Sequence, residues 1–169
     1  MDGGDYKSNS KLLALRREME RDPEGQHVIY IDSKAQRNAL SQMFLDMGMS
    51  RNQVKNIAST ATGSITGRDM SARVKAFKED PRIKVMMIDK VSSSGFNLQN
   101  ANTLHVLGTP QDAATYLQAQ GRVARSPRVG DVNIRTYRYN DNPVEQSHWN
   151  NLDAQLKVLQ AASPGLFVE

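Results

Sequence analysis

Two short apolar runs constrain the fold of this sequence more than any other feature. His27-Val-Ile-Tyr-Ile-Asp32 and Lys84-Val-Met-Met-Ile-Asp89 are continuous and contain Val and Ile, which are β-branched. Runs of this kind are typical of strands buried on both faces, as in a parallel sheet covered by helices. Three weaker strands are predicted over residues 54–58, 103–107 and 132–138.

Helical patterns alternate with these strands. Apolar side chains recur at spacings of three and four residues, which predicts amphipathic helices. The predicted helices cover residues 8–21, 33–47, 67–78, 109–125 and 142–162. Ser8 or Ser10 is expected to cap the first helix, Ser33 with Gln36 forms a capping box for the second, and Thr109 followed by Pro110 is expected to start the fourth.

The alternation of strands and helices predicts an α/β domain with a mostly parallel sheet. Ligands of such sheets bind beyond the carboxyl ends of the strands. Three loops are candidates for that position: Ser33-Lys34, the segment 89–97 and the turn that carries Thr109.

Composition excludes several other kinds of protein. The 169 residues include no cysteine, so disulfides and thiolate metal sites are excluded, and the three histidines are too scattered in sequence to suggest a metal site. No apolar run approaches the ~20 residues of a membrane span, and no export signal is visible. We therefore expect an intracellular protein, in cytoplasm or nucleus, or one carried in a virion. The formal charge of +4 permits a polyanionic partner without requiring one.

Gln118-Ala-Gln-Gly-Arg-Val-Ala-Arg125 is the segment in which residue type and spacing together imply chemistry. On a helix, Gln118, Arg122 and Arg125 fall at i, i+4 and i+7 and point the same way. Guanidinium groups suit phosphate oxygens, so this face could clamp a phosphoryl group. The alternative interpretation is a solvated basic helix face.

A family resemblance follows from the order of several motifs. They are His27 to Ser33, Gly63-Ser64, Phe77-Lys-Glu-Asp-Pro81, Asp89-Lys90 through Gly95-Phe-Asn-Leu98, Ala101-Asn102 and Gln118-x-x-Gly-Arg-x-x-Arg125. Together they resemble the C-terminal RecA-like domain of superfamily 2 helicases and translocases. The spacing is most similar to Swi/Snf-type translocases and to helicase-like NTPases of large DNA viruses. The resemblance implies a RecA-like (P-loop NTPase-type) three-layer α/β fold.

The resemblance also implies roles toward a nucleotide. Arg122 and Arg125 match arginine fingers that reach the γ-phosphate across an interdomain cleft. Gln118 and Gly121 of the same motif, and Gly95 and Asn97 of the preceding one, match residues near the nucleotide.

The same resemblance implies a nucleic-acid interface of short hydroxyl side chains and lysines. Such groups and backbone N–H groups grip phosphates without reading sequence. The matching residues are Ser33, Lys34, Ser64, Thr66, Lys90, Ser92 and Ser93.

Two departures from the family pattern concern that interface. Asp89 stands where the family has a threonine, and Met70 stands where an arginine commonly follows the Gly63-Ser64 loop. An alternative function is therefore a non-catalytic module that binds nucleic acid or protein and keeps an idle helicase signature.

Two motifs of a complete motor are missing from the sequence. It contains no Gly-x-x-x-x-Gly-Lys-Ser/Thr loop and no Asp-Glu pair after a strand. ATP with Mg²⁺ is therefore expected to be held mainly by an N-terminal RecA-like half outside this chain, which alone is predicted to be inactive. DNA or RNA and that N-terminal half are the expected partners.

The expected organisation has three parts. Residues 1–8 form a flexible N-terminus, residues 9–140 the helicase C-terminal RecA-like domain, and residues 141–169 a C-terminal helix and tail. A protein partner on the C-terminal helix is a further possibility. Trp149 is expected to anchor that helix by packing rather than to stack on a base.

Overall fold

The computed structural model describes residues 6–58, 65–92, 96–123, 133–139 and 141–162. Two 3-10 turns, Tyr6–Ser8 and Arg51–Gln53, accompany the regular elements. The helices within these ranges are α1 (Ser10–Glu20), α2 (Lys34–Asp46), α3 (Gly67–Glu79), α4 (Ala113–Val123) and α5 (Pro143–Ala162). The strands are β1 (His27–Tyr30), β2 (Val54–Asn56), β3 (Val85–Ile88), β4 (Thr103–Val106) and β5 (Asn133–Thr136).

The five strands form one parallel sheet in the order β2-β3-β1-β4-β5. All four residues of β1 and β3 are buried, as their continuous apolar runs predict for central strands, and the weaker run of β4 is fully buried as well. Edge strand β5 alternates between exposed and half-buried residues. The predicted RecA-like α/β fold class is confirmed.

Two apolar cores, one on each face of the sheet, make the domain three-layered. Ile29 and Ile31 face the core formed with α1 and α2, which also contains Leu12 and Phe44. Val28 and Tyr30 alternate to the opposite face, and the core there includes Phe77 of α3 and Trp149 of α5. The alternation of side chains along β1 therefore supplies both cores from one strand.

Helix α5 packs on the same body as the sheet. Trp149 is only 2% exposed, and the Arg138 guanidinium lies 4.0 Å from the centre of its ring. The Glu145 carboxylate pairs with the Lys11 ammonium at 2.6 Å, and both side chains are at least nine-tenths buried. Trp149 is thus the predicted packing anchor. The division of the chain at residue 140 stays a prediction.

Two predicted helix starts are wrong. Asn9, not Ser8 or Ser10, caps α1, because its Oδ1 accepts a hydrogen bond from the Leu12 N–H. Helix α4 begins at Ala113 rather than near Thr109, and the Asp112 carboxylate accepts from the Thr115 N–H at 2.8 Å. The Thr109 N–H donates instead to Asp32 Oδ2. Ser33 does cap α2, accepting from the Gln36 N–H as predicted.

His27 and His105, called here the buried histidine pair, form a polar chain inside the first core. The His27 Nδ1 and His105 Nε2 atoms are 2.9 Å apart, the His105 Nδ1 atom is 2.8 Å from the Tyr137 hydroxyl, and the His27 Nε2 atom is 3.1 Å from the Asp22 carbonyl oxygen. A carbonyl only accepts, so with both rings neutral His27 donates to Asp22, His105 donates to His27, and Tyr137 donates to His105. Burial is the largest cause of a lowered pKa at His27 and of a pKa well below the usual range at His105. The two histidines, scattered in sequence, are adjacent in space.

Candidate nucleotide and nucleic-acid interface

The carboxyl ends of β3, β1 and β4 lie side by side and bring the three predicted loops to one edge of the sheet. The Ile31 N–H donates to the Ile88 carbonyl, and the Gly108 N–H donates to the Tyr30 carbonyl. A Cβ atom on Gly108 would lie 2.6 Å from the Asp32 nitrogen. Glycine therefore permits the close approach of the β1 and β4 ends on which this edge is built.

Asp89 is turned into the protein. It is 1% exposed, and its Oδ1 accepts from the Ser92 N–H and from the Ser92 hydroxyl, both at 2.9 Å. The Asp89 N–H donates to the same hydroxyl oxygen. In this turn the anion closes the loop and is not presented to a bound phosphate. The Ser92 hydroxyl, predicted to bind nucleic acid, is likewise buried and bonded to Asp89.

The other described residues of the predicted nucleic-acid interface remain accessible. Lys34 and Thr66 are exposed, and Ser33 is half-buried. Ser33 and Thr66 occupy equivalent positions, since each caps a helix through its side-chain oxygen. Lys90 is exposed, and its ammonium donates to Gln111 Oε1 in the turn before α4. Lys90 thereby links the loop after β3 to the helix that carries Arg122.

Helix α4 presents an accessible row of residues on one of its faces. Its members follow helical spacing and line one open cavity of about 580 Å³: Ala114, Leu117, Gln118, Gly121 and Arg122. Gln118 is exposed and Arg122 is half-buried. Gln118 and Arg122 therefore share one cavity, whereas Arg125, the third residue of the predicted face, lies outside the described residues. We call the residues that line this cavity the α4 stripe.

The segment after β3 is fixed to the α4 stripe through the backbone. The Leu98 N–H donates to the Arg122 carbonyl at 2.8 Å. The Asn97 Oδ1 accepts a hydrogen bond from the Gln99 N–H at 2.9 Å. This bond closes a local turn in the segment that leads to β4. The motifs that contain Asn97 and Arg122 are therefore mechanically joined, although 25 residues separate them in sequence.

Acidic groups gather beneath this edge around Tyr30. Burial, and then the carboxylates of Asp32, Asp89 and Asp112, raise the pKa of the Tyr30 hydroxyl to about 12. Hydrogen bonds from Thr115 lower the pKa of Asp112, so this carboxylate is ionised at neutral pH. Tyr30 itself is buried and stays a neutral phenol.

Several predicted residues lie outside the described ranges. They are Arg125, Gly95, Ser64 and Ser93. Their roles stay predictions. Over the ranges that are described, no group of three or more His, Asp or Glu side chains could hold a metal ion, and no helix is long and apolar enough to cross a membrane.

Some contributors to this edge were missed from the sequence. Gly108 carries a signal, since it precedes Thr109-Pro110 at a strand end. Ala114 and Leu117 could have been found by stepping back four residues from Gln118 and from Gly121. The backbone bond between Leu98 and Arg122 leaves no trace in side-chain identity.

The C-terminal helix, predicted as a possible partner surface, has Val158 and Leu159 exposed near its C-terminal end, where they line an open cavity with Ala113 and Ala114 of α4. Trp149 and Leu152 are buried in the core, whereas Val144 and Val158 are 81% and 68% exposed. Val144 and Val158 lie at opposite ends of α5. The partner of this helix stays a prediction.

Comparison with known proteins gives a family match and matches to solved structures. The model of the family described as helicase conserved C-terminal domain matches residues 10–127. Among solved structures, the chain is similar to the crystal structure of the C-terminal part of the Fun30 ATPase domain, with a TM-score of 0.76 and 18% identity over 90% of this chain. The match spans 48% of that structure's chain. No curated protein matches. The predicted resemblance to a superfamily 2 C-terminal RecA-like domain is confirmed.

Proposed function

We propose, from the premise that this chain belongs to the helicase conserved C-terminal domain family, that it is the C-terminal motor half of a nucleic-acid-dependent NTPase. In this proposal Arg122 and Arg125 act as arginine fingers on ATP bound by an N-terminal RecA-like half. The observation that carries the proposal is the α4 stripe, which places Gln118 and Arg122 together on an accessible helix face.

The position of Arg122 suits a group that acts across a cleft. Its side chain is half-buried, and its backbone carbonyl is bonded to Leu98, so the base of the side chain is held in place. A guanidinium that is positioned in the closed cleft would need little reorganisation when negative charge develops on a transferring phosphoryl group. Arginine fingers of this kind contribute about 10³–10⁵ in rate.

The donor set of the α4 stripe fits phosphate rather than metal. Gln118 offers an amide and Arg122 a guanidinium, which has five N–H donors and no acceptor. Mg²⁺ would therefore be held with the ATP mainly by the N-terminal half, where it would neutralise charge on the β- and γ-phosphate oxygens. The residues of this chain would orient the terminal phosphate and exclude water when the cleft closes.

The nucleic acid, DNA or RNA, would lie along the edge that carries Ser33, Lys34, Thr66 and Lys90. Hydroxyl and ammonium groups there would contact phosphates without reading bases. Lys90 connects to Gln111 just before α4, so strand contacts and the α4 stripe would move as one body. Cleft closure on ATP and reopening after hydrolysis would then step the protein along the strand.

Substitution of the fingers in the full-length protein tests the proposal. Arg122→Ala and Arg125→Ala should each lower ATP turnover by about 10³-fold, with ATP affinity much less affected. Arg17→Ala is the matched control, because Arg17 is exposed on α1, which packs on the opposite face of the sheet from α4. Unchanged turnover in both finger variants would contradict the proposal.

A second candidate function is favoured by Met70. This side chain packs against the core of the second face and supplies no cation after the Gly63-Ser64 loop. Asp89, similarly, is used within its own turn. A non-catalytic module would bind DNA or RNA in a strongly salt-dependent way, while the full-length protein would show no nucleic-acid-stimulated hydrolysis.

A further inference from the structure

A cationic groove lies between α2 and the edge strand β2, outside the surfaces discussed so far. The cavity has a volume of about 370 Å³, within the ~300–1,000 Å³ typical of ligand pockets. Arg37 of α2 and Arg51 of the turn before β2 line it. Its apolar part is formed by Phe44, Leu45, Met49, Val54 and Met87. We call this cavity the α2/β2 groove.

The two arginines of the α2/β2 groove have no acidic counterpart. None of the residues that line the groove is Asp or Glu. Over the described part of the chain, neither guanidinium forms an ion pair, and the buried Nε atom of Arg37 has no hydrogen-bond partner. Residues 59–64, which follow β2 in sequence, contain no acid either. A buried donor without a partner is unfavourable, so the fold leaves part of the hydrogen-bonding capacity of Arg37 unused.

The apolar part of the groove calls for an apolar group beside that carboxylate. Leu45 is 54% exposed although it lies next to the buried Phe44. An exposed leucine between two arginines suits a ligand that carries a hydrophobic side chain and an acid close together.

Nucleic acid suits the groove less well. Phe44 is only 2% exposed, so its ring offers no face on which a base could stack. A phosphate backbone would satisfy the arginines but leave Leu45 and its apolar neighbours without a partner.

Addition of a strand to β2 is also disfavoured by the hydrogen bonds at that edge. The Val54 N–H donates to the Arg51 carbonyl, and the Asn56 carbonyl accepts from the Arg73 guanidinium at 2.6 Å. Main-chain pairing would have to break both bonds, so side chains must supply recognition.

We propose that the α2/β2 groove binds an acidic peptide segment of a partner protein, with one hydrophobic side chain seated on Leu45 and Met49 and flanking carboxylates paired with Arg37 and Arg51. This proposal does not depend on ATP hydrolysis.

Binding of a designed peptide to the full 169-residue chain tests it. The probe is a short fluorescein-labelled peptide with one phenylalanine between glutamates, measured by fluorescence anisotropy, with the methyl resonances of Met49 and Met87 followed by NMR. We expect saturable binding and shifts at these two methyl groups. Arg51→Glu and Arg37→Glu should each weaken binding by about tenfold or more, because each removes a charge-assisted contact and adds a repulsion. Arg17→Glu, with the same change of charge on α1, should bind as the wild type does.

Probe variants and a folding control complete the test. Peptides with glutamine for glutamate, or alanine for phenylalanine, should each bind more weakly. If Arg37→Glu fails to fold, Arg37→Met takes its place. Arg37→Met removes the unpartnered buried donor without adding a negative charge, so it should fold and should still bind the peptide more weakly. The proposal is overturned if the peptide does not bind, or if its affinity is the same in the Arg51 variants. It is also overturned if single-stranded DNA or RNA, but not the peptide, shifts the two methionine methyl groups.

Discussion

Glycine at position 121 costs this domain stability, and that cost can be measured. Gly121 lies within α4 on the α4 stripe, and a Cβ atom built there has no heavy atom within 4 Å. Its φ angle is not positive, so alanine can adopt the same backbone. Glycine inside a helix is less stable than alanine by about 0.5–1 kcal/mol. The fold of this domain therefore gives no reason for glycine at this position.

The proposed cleft gives a reason, because a methyl group on the α4 stripe would meet the ATP or the N-terminal half. We expect Gly121→Ala to stabilise the isolated domain by about 0.5–1 kcal/mol, which raises Tm by about 1–4 °C for a chain of this length. In the full-length protein the same change should lower ATP turnover by tenfold or more. Thermal unfolding of the domain and steady-state hydrolysis by the full-length protein are the two assays.

Gly67→Ala is the matched control for this pair of effects. Gly67 begins α3, and a Cβ atom there also meets nothing within 4 Å. The Gly67→Ala change should not lower ATP hydrolysis by the full-length protein. A Gly121→Ala domain that is less stable, or a full-length variant that is stabilised yet fully active, would refute the reasoning.

Three further predictions concern the body of the domain. Glu145→Ala leaves the buried Lys11 ammonium unpaired and should destabilise by about 3–5 kcal/mol in urea unfolding, whereas Asp153→Ala, from a half-exposed pair, should cost about 1 kcal/mol or less. Gly108→Ala should destabilise by about 1–3 kcal/mol, since its Cβ would lie 2.6 Å from a backbone nitrogen; wild-type stability would show that the ends of β1 and β4 can separate freely. The buried histidine pair has lowered pKa values, so the unfolded chain binds more protons below pH ~6.5. The contribution of the pair to the free energy of unfolding is therefore fully present above that pH. It should fall by about 1.4 kcal/mol per pH unit for each histidine as the pH drops toward the pKa values of the folded state. Equal urea midpoints at pH 7 and pH 5.5 would contradict this.

Sequence patterns predicted the elements whose stability is decided locally. The run at His27 is apolar because both faces of β1 are covered, and the Ser33 hydroxyl has only to reach a nitrogen three residues away. The order of motifs also predicted the family, through their resemblance to those of superfamily 2 C-terminal domains. In each of these cases the evidence lies in residue types and in spacings along the chain.

The start of α4 was predicted too early, because the Asp112 carboxylate, and not the Thr109 hydroxyl, accepts a hydrogen bond from the first turn. The buried histidine pair and the α2/β2 groove could not be predicted, because each joins residues from separate elements. The orientation of Asp89 was also not predicted. Its charge suggested that it would repel a phosphate, whereas its carboxylate is turned inward and accepts a hydrogen bond from Ser92.

In the proposed mechanism, guanidinium groups of this chain complete catalysis by acting on ATP that is held elsewhere. The most direct measurement is ATP turnover by this chain alone and joined to its N-terminal half, each with and without nucleic acid, for the wild type and for Arg122→Ala. We predict turnover only in the joined protein, acceleration by nucleic acid, and a loss of about 10³-fold in the variant. Joined protein that hydrolyses ATP equally well without the Arg122 guanidinium, or that is silent under every condition, would contradict the account.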